Sequence, residues 1–227
     1  MLFIASATGY SASSVSTLDT SATLNIAAGD VLVAYFAGPL YGPYTVTSIN
    51  ETGGASNDLT LLASSNPGGE VVQAGYKITA AASATATFRL TLSNSIASIE
   101  FKVLQFRPEA GETASFGGGP AAAESGFGDN PTSATLSTTS ANSMFVGAAY
   151  NDRTALSSPL LGGATPDGTL SGTLFFSIGY TEFATAQTSI TYATTSDFGI
   201  WGAEMIVIDI TISAGGGIVV LRRRIDN

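Results

Sequence analysis

Cysteine and histidine are both absent from the 227 residues of this chain. Without cysteine no disulfide can form, and the usual protein ligands of zinc, iron–sulfur and haem sites are missing. Without histidine, the Ser-His-Asp and Cys-His arrangements of nucleophilic catalysis are excluded. We therefore expect no cofactor, no metal site and no enzymatic activity.

Charged residues are also scarce. They make up 11% of the chain, against about 25% in an ordinary soluble domain. The net charge is -9, and three of the eight Lys and Arg residues are consecutive near the C-terminus. The other five are scattered along the chain, whereas binding to phosphates needs clustered Lys and Arg, so the sequence argues against nucleic-acid binding. No uninterrupted apolar run reaches about 18 residues, which argues against a membrane span. A surface poor in Lys and Glu is weakly protected against association, which is tolerable or useful in a protein that assembles.

The N-terminal stretch "MLFIASATGY" lacks the basic region and the long apolar region of a secretory signal. The sequence therefore favours synthesis in a cytoplasm without export. A mature fragment placed behind a new Met, from an extracellular protein, is the alternative that stays open.

Two stretches of the chain repeat in the same order. Residues 21–38 and 133–150 both begin Ser-Ala-Thr-Leu at an offset of 112, and residues 73–106 and 177–210 align without a gap at an offset of 104. A period near 110 residues is too long for a solenoid, whose repeats have about 20–50 residues. The sequence predicts an internal duplication, with a shorter connection in the second copy.

Each copy has the pattern of β-structure. The run "DVLVAYFA" is almost continuously apolar, as expected of a strand covered on both faces, whereas "TATFRLTL" and "IEFKVLQF" alternate between apolar and polar residues. Turn signals rich in Gly, Pro and Asn separate these runs, and no window has a helical period. The predicted fold is all-β: an antiparallel β-sandwich of jelly-roll or immunoglobulin-like type, internally duplicated, with a C-terminal extended arm.

The duplication divides the chain into a first β-sandwich repeat at 1–108, a second at 109–213 and an arm at 214–227. The joint at 107–131 is rich in Gly, Pro and Ala and is either a linker or, in part, the first strand of the second copy. The two copies form either two separate sandwiches or one domain with pseudo-twofold symmetry. The sequence favours two closely packed halves.

The order of these runs carries a resemblance. "GDVLVAYFAG", a Gly-Tyr strand, "TATFRLTLS" and an apolar strand that closes before Pro108 follow one another, and the series then repeats. This order resembles jelly-roll-like β-sandwich proteins of tailed-phage virions and bacterial surfaces. The resemblance implies a structural or binding role and transfers no functional residue.

Glu100 and Glu204 are the strongest candidates for a catalytic carboxylate pair, because the duplication relates them. A glycoside hydrolase needs two carboxylates that face each other across a sugar. These two instead occupy the same end of equivalent strands, so we interpret them as structural or solvated. The acidic turns at Asp129, Asp152 and Asp167 fit turn chemistry better than a calcium loop.

Aromatic residues in loops suggest a carbohydrate site as the alternative function. The segment "GPLYGPYTV" places Tyr41 and Tyr44 in a Pro- and Gly-rich loop, where two rings are hard to bury completely, and Trp201 is a further candidate. The competing interpretation is that these rings cover the ends of the sandwich or contact other subunits.

The segment "SAGGGIVVLRRRIDN" lies outside both repeats. Its apolar part is too short to span a bilayer, and its glycines separate it from the sandwich. Residues with β-propensity followed by arginines are suited to docking on an acidic neighbour. We predict a subunit-contact arm made of Ile218, Val219, Val220, Leu221, Arg222, Arg223 and Arg224.

These observations favour a non-enzymatic structural protein of an assembled particle, a phage virion component such as a capsid decoration or tail protein. Its expected partners are copies of itself and another virion protein, such as a major capsid or tail protein, with no nucleic acid and no membrane. The alternative is a carbohydrate-binding or adhesion module of a secreted or fibre protein.

Overall fold

The computed structural model describes residues 1–39, 44–65, 71–116, 121–128, 137, 142–151, 165–169, 175–187, 190 and 199–212. Within these ranges every helix or strand is a β-strand, and the paired strands run antiparallel. The prediction of an all-β, antiparallel fold is confirmed.

The structure describes sixteen strands. They are β1 (Leu2–Ser11), β2 (Val15–Asp19), β3 (Leu24–Ile26), β4 (Val31–Pro39), β5 (Val46–Glu51), β6 (Thr60–Ser65), β7 (Val71–Thr79), β8 (Ala84–Ala86), β9 (Phe88–Ile96), β10 (Ile99–Arg107), β11 (Glu112–Ser115), β12 (Ala121–Gly128), β13 (Ser143–Asn151), β14 (Thr165–Thr169), β15 (Phe175–Phe183) and β16 (Gly199–Ile212).

The first half of the chain forms a central sheet with the strand order β1-β10-β4-β7-β6. Residues 31–37 of β4 are all fully buried, as the almost continuous apolar run predicts. Residues 99–106 of β10 are buried as well, on both faces. The central sheet is therefore covered on both sides at its middle strands.

One face of the central sheet packs against strands from the same half. A three-stranded sheet of order β2-β9-β5 and a short pair of β3 with β8 cover it. The predicted apolar side of β9 is buried here through Phe88, Leu90 and Leu92, and it meets Phe36 and Phe101 of the central sheet.

The second half of the chain builds a sheet with the same strand order as the central sheet. Its order is β12-β16-β13-β15-β14, with β11 pairing beyond β12 along the same edge of β16. β13 follows β4 at an offset of 112, and β15 follows β7 at an offset of 104. Because β12 takes the place of β1, part of the joint is the first strand of the second sheet.

The two large sheets pack face to face and share one core. Val33 and Tyr35 of β4 and Phe106 of β10 meet Val146 of β13 and Ile208 of β16. The Tyr35 hydroxyl donates a hydrogen bond across the interface to the carbonyl oxygen of Val146. The described parts of the two halves are thus closely packed. The repeat boundaries 1–108 and 109–213 stay a prediction, and the predicted arm, 214–227, lies outside the described residues.

β16 and β10 turn equivalent faces toward the shared core, but β13 and β4 do not. Met144, Val146 and Ala148 of β13 face the central sheet. Their counterparts at the offset of 112 are Leu32, Ala34 and Phe36, which face the outer strands of the first half. Consistently, Glu100 lies opposite Ala37, whereas Glu204 lies opposite Ala148 rather than Ala149. The register of β16 on β13 is therefore shifted by one residue relative to the register of β10 on β4.

Candidate interaction surface

The described part of β16 ends beside the beginning of β1. Ile212, the last residue of β16, lies opposite Glu112 of β11. The Glu112 carboxylate in turn lies 3.0 Å from the amino group of Met1. We call this region, made of Met1, Glu109, Glu112, Glu182 and Ile212, the Met1 corner.

Three carboxylates surround the single amino group at the Met1 corner. Glu109 and Glu182 lie 3.7 and 3.2 Å from the Met1 nitrogen. Burial lowers the pKa of this amine, but hydrogen bonds to Glu112 and Glu182 raise it more, so its pKa lies above the ordinary value. Three negative charges against one positive charge leave the corner acidic, and Glu109 and Glu182 are 54% and 40% exposed.

Apolar side chains are exposed at the same corner. Leu2 is 51% exposed, Ile4 is 39% exposed and Ile212 is 58% exposed. Phe3 lies between them in the chain but points inward, with ring centroids 5.7 Å from Phe106 and 5.1 Å from Tyr180. The corner therefore combines uncovered apolar surface with excess negative charge, as interaction surfaces do.

The predicted contact arm continues from this corner. Its residues, Ile218, Val219, Val220, Leu221, Arg222, Arg223 and Arg224, lie outside the described residues. Their role as a subunit contact stays a prediction.

The structure describes the side chain of only one of the three aromatic candidates for carbohydrate binding. Tyr44 is only 6% exposed and packs edge-on against Phe36, and burial raises the pKa of its hydroxyl. The expectation that Tyr44 is hard to bury is wrong, and a buried ring cannot stack on a sugar. Tyr41 lies outside the described residues, and Trp201 is placed in β16 opposite Gly126, with only its backbone described.

Glu100 lies in the interior and has no access for a substrate. It is 3% exposed, on the face of β10 that meets the second sheet, and its Oε2 atom has no hydrogen-bond partner among the described residues. Burial raises the pKa of this carboxyl to about 8, although the charge of Lys102 opposes the change. Of the two interpretations, structural or solvated, the second is wrong for Glu100, which is buried. Only the backbone of Glu204 is described.

The structure also shows a buried polar cluster that no sequence pattern predicted. Asp30 is 1% exposed and accepts hydrogen bonds from both Arg107 Nε and Nη2, at 2.7 Å each, and from the Ala27 N–H and Gln105 Nε2. The only sequence signal was an Asp closing the turn "AAGD" and an Arg ending a strand more than seventy residues later. This cluster joins the turn before β4 to the end of β10.

Comparisons with known proteins add little. No protein-family model matches the chain, and no curated protein matches it. Among solved structures, it is similar to a chain of Cucumber Leaf Spot Virus at 14% identity, over 83% of this chain and 74% of that one, with a TM-score of 0.24. It is also similar to the C-terminal domain of the Streptococcus agalactiae AgI/II polypeptide BspA at 15% identity, over 93% and 92% of the two chains, with a TM-score of 0.19. Scores this low carry no argument about function. Within the described ranges, no helix is long and apolar enough to cross a membrane.

Proposed function

We propose that this chain is a non-enzymatic structural protein of a multi-subunit particle, a phage virion component such as a capsid decoration or tail protein. Its arm, residues 214–227, contacts a neighbouring subunit. Its partners are copies of itself and another virion protein, such as a major capsid or tail protein.

The observation that carries this proposal is the Met1 corner. Exposed apolar side chains and an excess of carboxylates meet where β16 ends. The sequence then continues into three glycines, four aliphatic residues and three arginines. Surface and segment are complementary in both polarity and charge, which favours association and fixes its orientation.

The ionisable groups of the first half support a structural role as well. Asp30 pairs with Arg107, Asp19 pairs with Arg89, and the Glu51 carboxylate accepts the N–H groups of its own loop. Each of these carboxylates is engaged by partners within the fold, and the Asp30 carboxylate is also buried. This use of charge fits assembly better than catalysis.

The test is sedimentation velocity of the purified protein and of a variant lacking 214–227, over a wide range of concentration. We expect the wild type to form oligomers and the deletion variant to sediment as a folded monomer, because every described strand ends before residue 213. A wild type that stays monomeric and instead binds defined sugars on a glycan array would favour the carbohydrate-binding alternative.

A further inference from the structure

We propose that the open edge of β1, residues 2–6, is the docking site for the segment 218–221 of a second copy of this chain, added as an antiparallel strand. This inference rests on the proposed function, because it names the surface that receives the arm. Its site is defined by described residues alone.

Among the described residues, β1 is an edge strand whose outer side is open over only part of its length. In the central sheet it pairs with β10, and no described strand pairs with its other side. Further along, the Thr8 carbonyl oxygen accepts the Ser21 N–H at 2.8 Å, so residues 19–21 cover the edge there. Because backbone groups two residues apart in a strand point the same way, the N–H and C=O of Ser6 also point away from β10. The open stretch ends near Ser6, and within it the register of β1 on β10 shifts at a β-bulge between Phe3 and Ala5.

The length of the open edge fits the arm. The aliphatic run 218–221 has four residues, and the open edge has five. Addition of an extended segment to a sheet edge gains affinity from main-chain hydrogen bonds and specificity from the side chains beside them. Leu2 and Ile4 are exposed there and supply apolar contacts.

Charge decides the direction of the added strand. In antiparallel addition, the C-terminal end of the segment lies at the Leu2 end of β1. Arg222 and Arg223 then meet the exposed carboxylates Glu109 and Glu182 of the Met1 corner. Parallel addition would carry the arginines toward the Ser11 end, away from these carboxylates.

The same geometry favours a second copy over the segment's own chain. β16 ends at the Met1 corner itself, because Ile212 lies opposite Glu112. Antiparallel docking on the same chain would therefore require the backbone to run out along β1 and reverse within residues 213–217. A second copy approaches the edge without a reversal.

Disulfide trapping tests this placement, since the chain has no cysteine of its own. An Ile4→Cys protein is mixed with a Val220→Cys protein under mild oxidation. Tyr10→Cys is the matched control, because Tyr10 is 41% exposed against 39% for Ile4 and lies on the same strand beyond the open edge. A disulfide needs Cα atoms within about 7 Å, so we expect at least about tenfold more cross-linked pair with Ile4→Cys than with Tyr10→Cys.

Charge reversal gives a second, independent measurement. Glu109→Arg with Glu182→Arg places like charges together, and we expect the dissociation constant of the oligomer to rise roughly a hundredfold or more. Combining these changes with Glu at positions 222–224 should restore association. Melting temperatures of the separate variants show whether each remains folded.

The outcomes separate this inference from the proposed function. If deletion of 214–227 abolishes association but the cross-link and the charge rescue both fail, the arm docks elsewhere and this inference is overturned. If the double variant Ile4→Cys and Val220→Cys closes within single chains at high dilution, the occupant is the chain's own segment and the second copy is refuted. Ile4→Cys pairs that form without the arm would show that two β1 edges meet instead.

Discussion

Replacing Glu100 by Gln should stabilise the protein, and the gain should grow with pH. Glu100 is 3% exposed between the two large sheets, and burial raises its pKa from the ordinary 4.5 to about 8. The folded state therefore keeps the proton over a pH range in which the unfolded chain loses it. Stability is fully present below the unfolded pKa and falls as pH rises through the folded pKa.

The magnitude follows from the size of the pKa change. One pKa unit corresponds to about 1.4 kcal/mol, so the loss reaches roughly 3 kcal/mol at pH 7 and roughly 5 kcal/mol above the folded pKa. Gln has the same shape and carries no charge, so the Glu100→Gln protein lacks this loss. The difference in unfolding free energy between the two proteins should be near its minimum at pH 5 and largest at pH 9.

Urea denaturation of both proteins at pH 5, 7 and 9 measures this difference. Contributions of other ionisable groups are common to both proteins and cancel. If the unfolding free energies of wild type and Glu100→Gln run parallel from pH 5 to pH 9, the burial argument for Glu100 is refuted.

Three further changes test other contacts of the fold. Arg107→Ala should lower the unfolding free energy measured by urea denaturation by about 2–3 kcal/mol, because it removes two hydrogen bonds to the buried Asp30 carboxylate. Arg89→Ala, in an exposed pair, should change this free energy little. Equal effects of the two substitutions would contradict this reasoning. At pH values below about 8, acetylation of the Met1 amine should lower the melting temperature, because it removes the charge that the carboxylates contact. The difference in melting temperature between the free and the acetylated protein should shrink as pH rises through the raised pKa of the amine. A difference that does not depend on pH would exclude the charge contribution. Gly9→Ala should destabilise by about 1–3 kcal/mol, because a Cβ there would overlap an aromatic ring of β10 and lie 2.9 Å from a backbone carbonyl oxygen; an unchanged unfolding midpoint would contradict this packing.

Local patterns in the sequence determined the strands and their order. The apolar run of β4 and the alternation of β9 and β10 reflect the two-residue period of a strand, which depends on neighbouring residues only. The offsets of 112 and 104 located β13 and β15 with the same bounds as β4 and β7. The absence of Cys and His restricts the available chemistry whatever fold the chain adopts.

Which face of each strand meets which partner was decided only by the tertiary structure. A period of two separates the faces of β10 but cannot reveal that both are buried, because the second cover comes from β13 and β16, which follow much later in the chain. For this reason the alternation of β10 indicates a solvated Glu100, although this side chain lies between the sheets. β4 packs one face against the outer strands of the first half, whereas the corresponding face of β13 packs against the central sheet. This difference follows from how the sheets stack.

The ion pairs of the fold could not be predicted from the sequence either. The Met1 amine precedes β1, and its carboxylates come from the β10–β11 connection, β11 and β15. Asp30 precedes β4, whereas Arg107 ends β10. Such pairs leave no local period, because their spacing is set by how distant strands cross. The sequence determined what this protein is built from, and the packing of its sheets decided which of its charges and edges remain open to a partner.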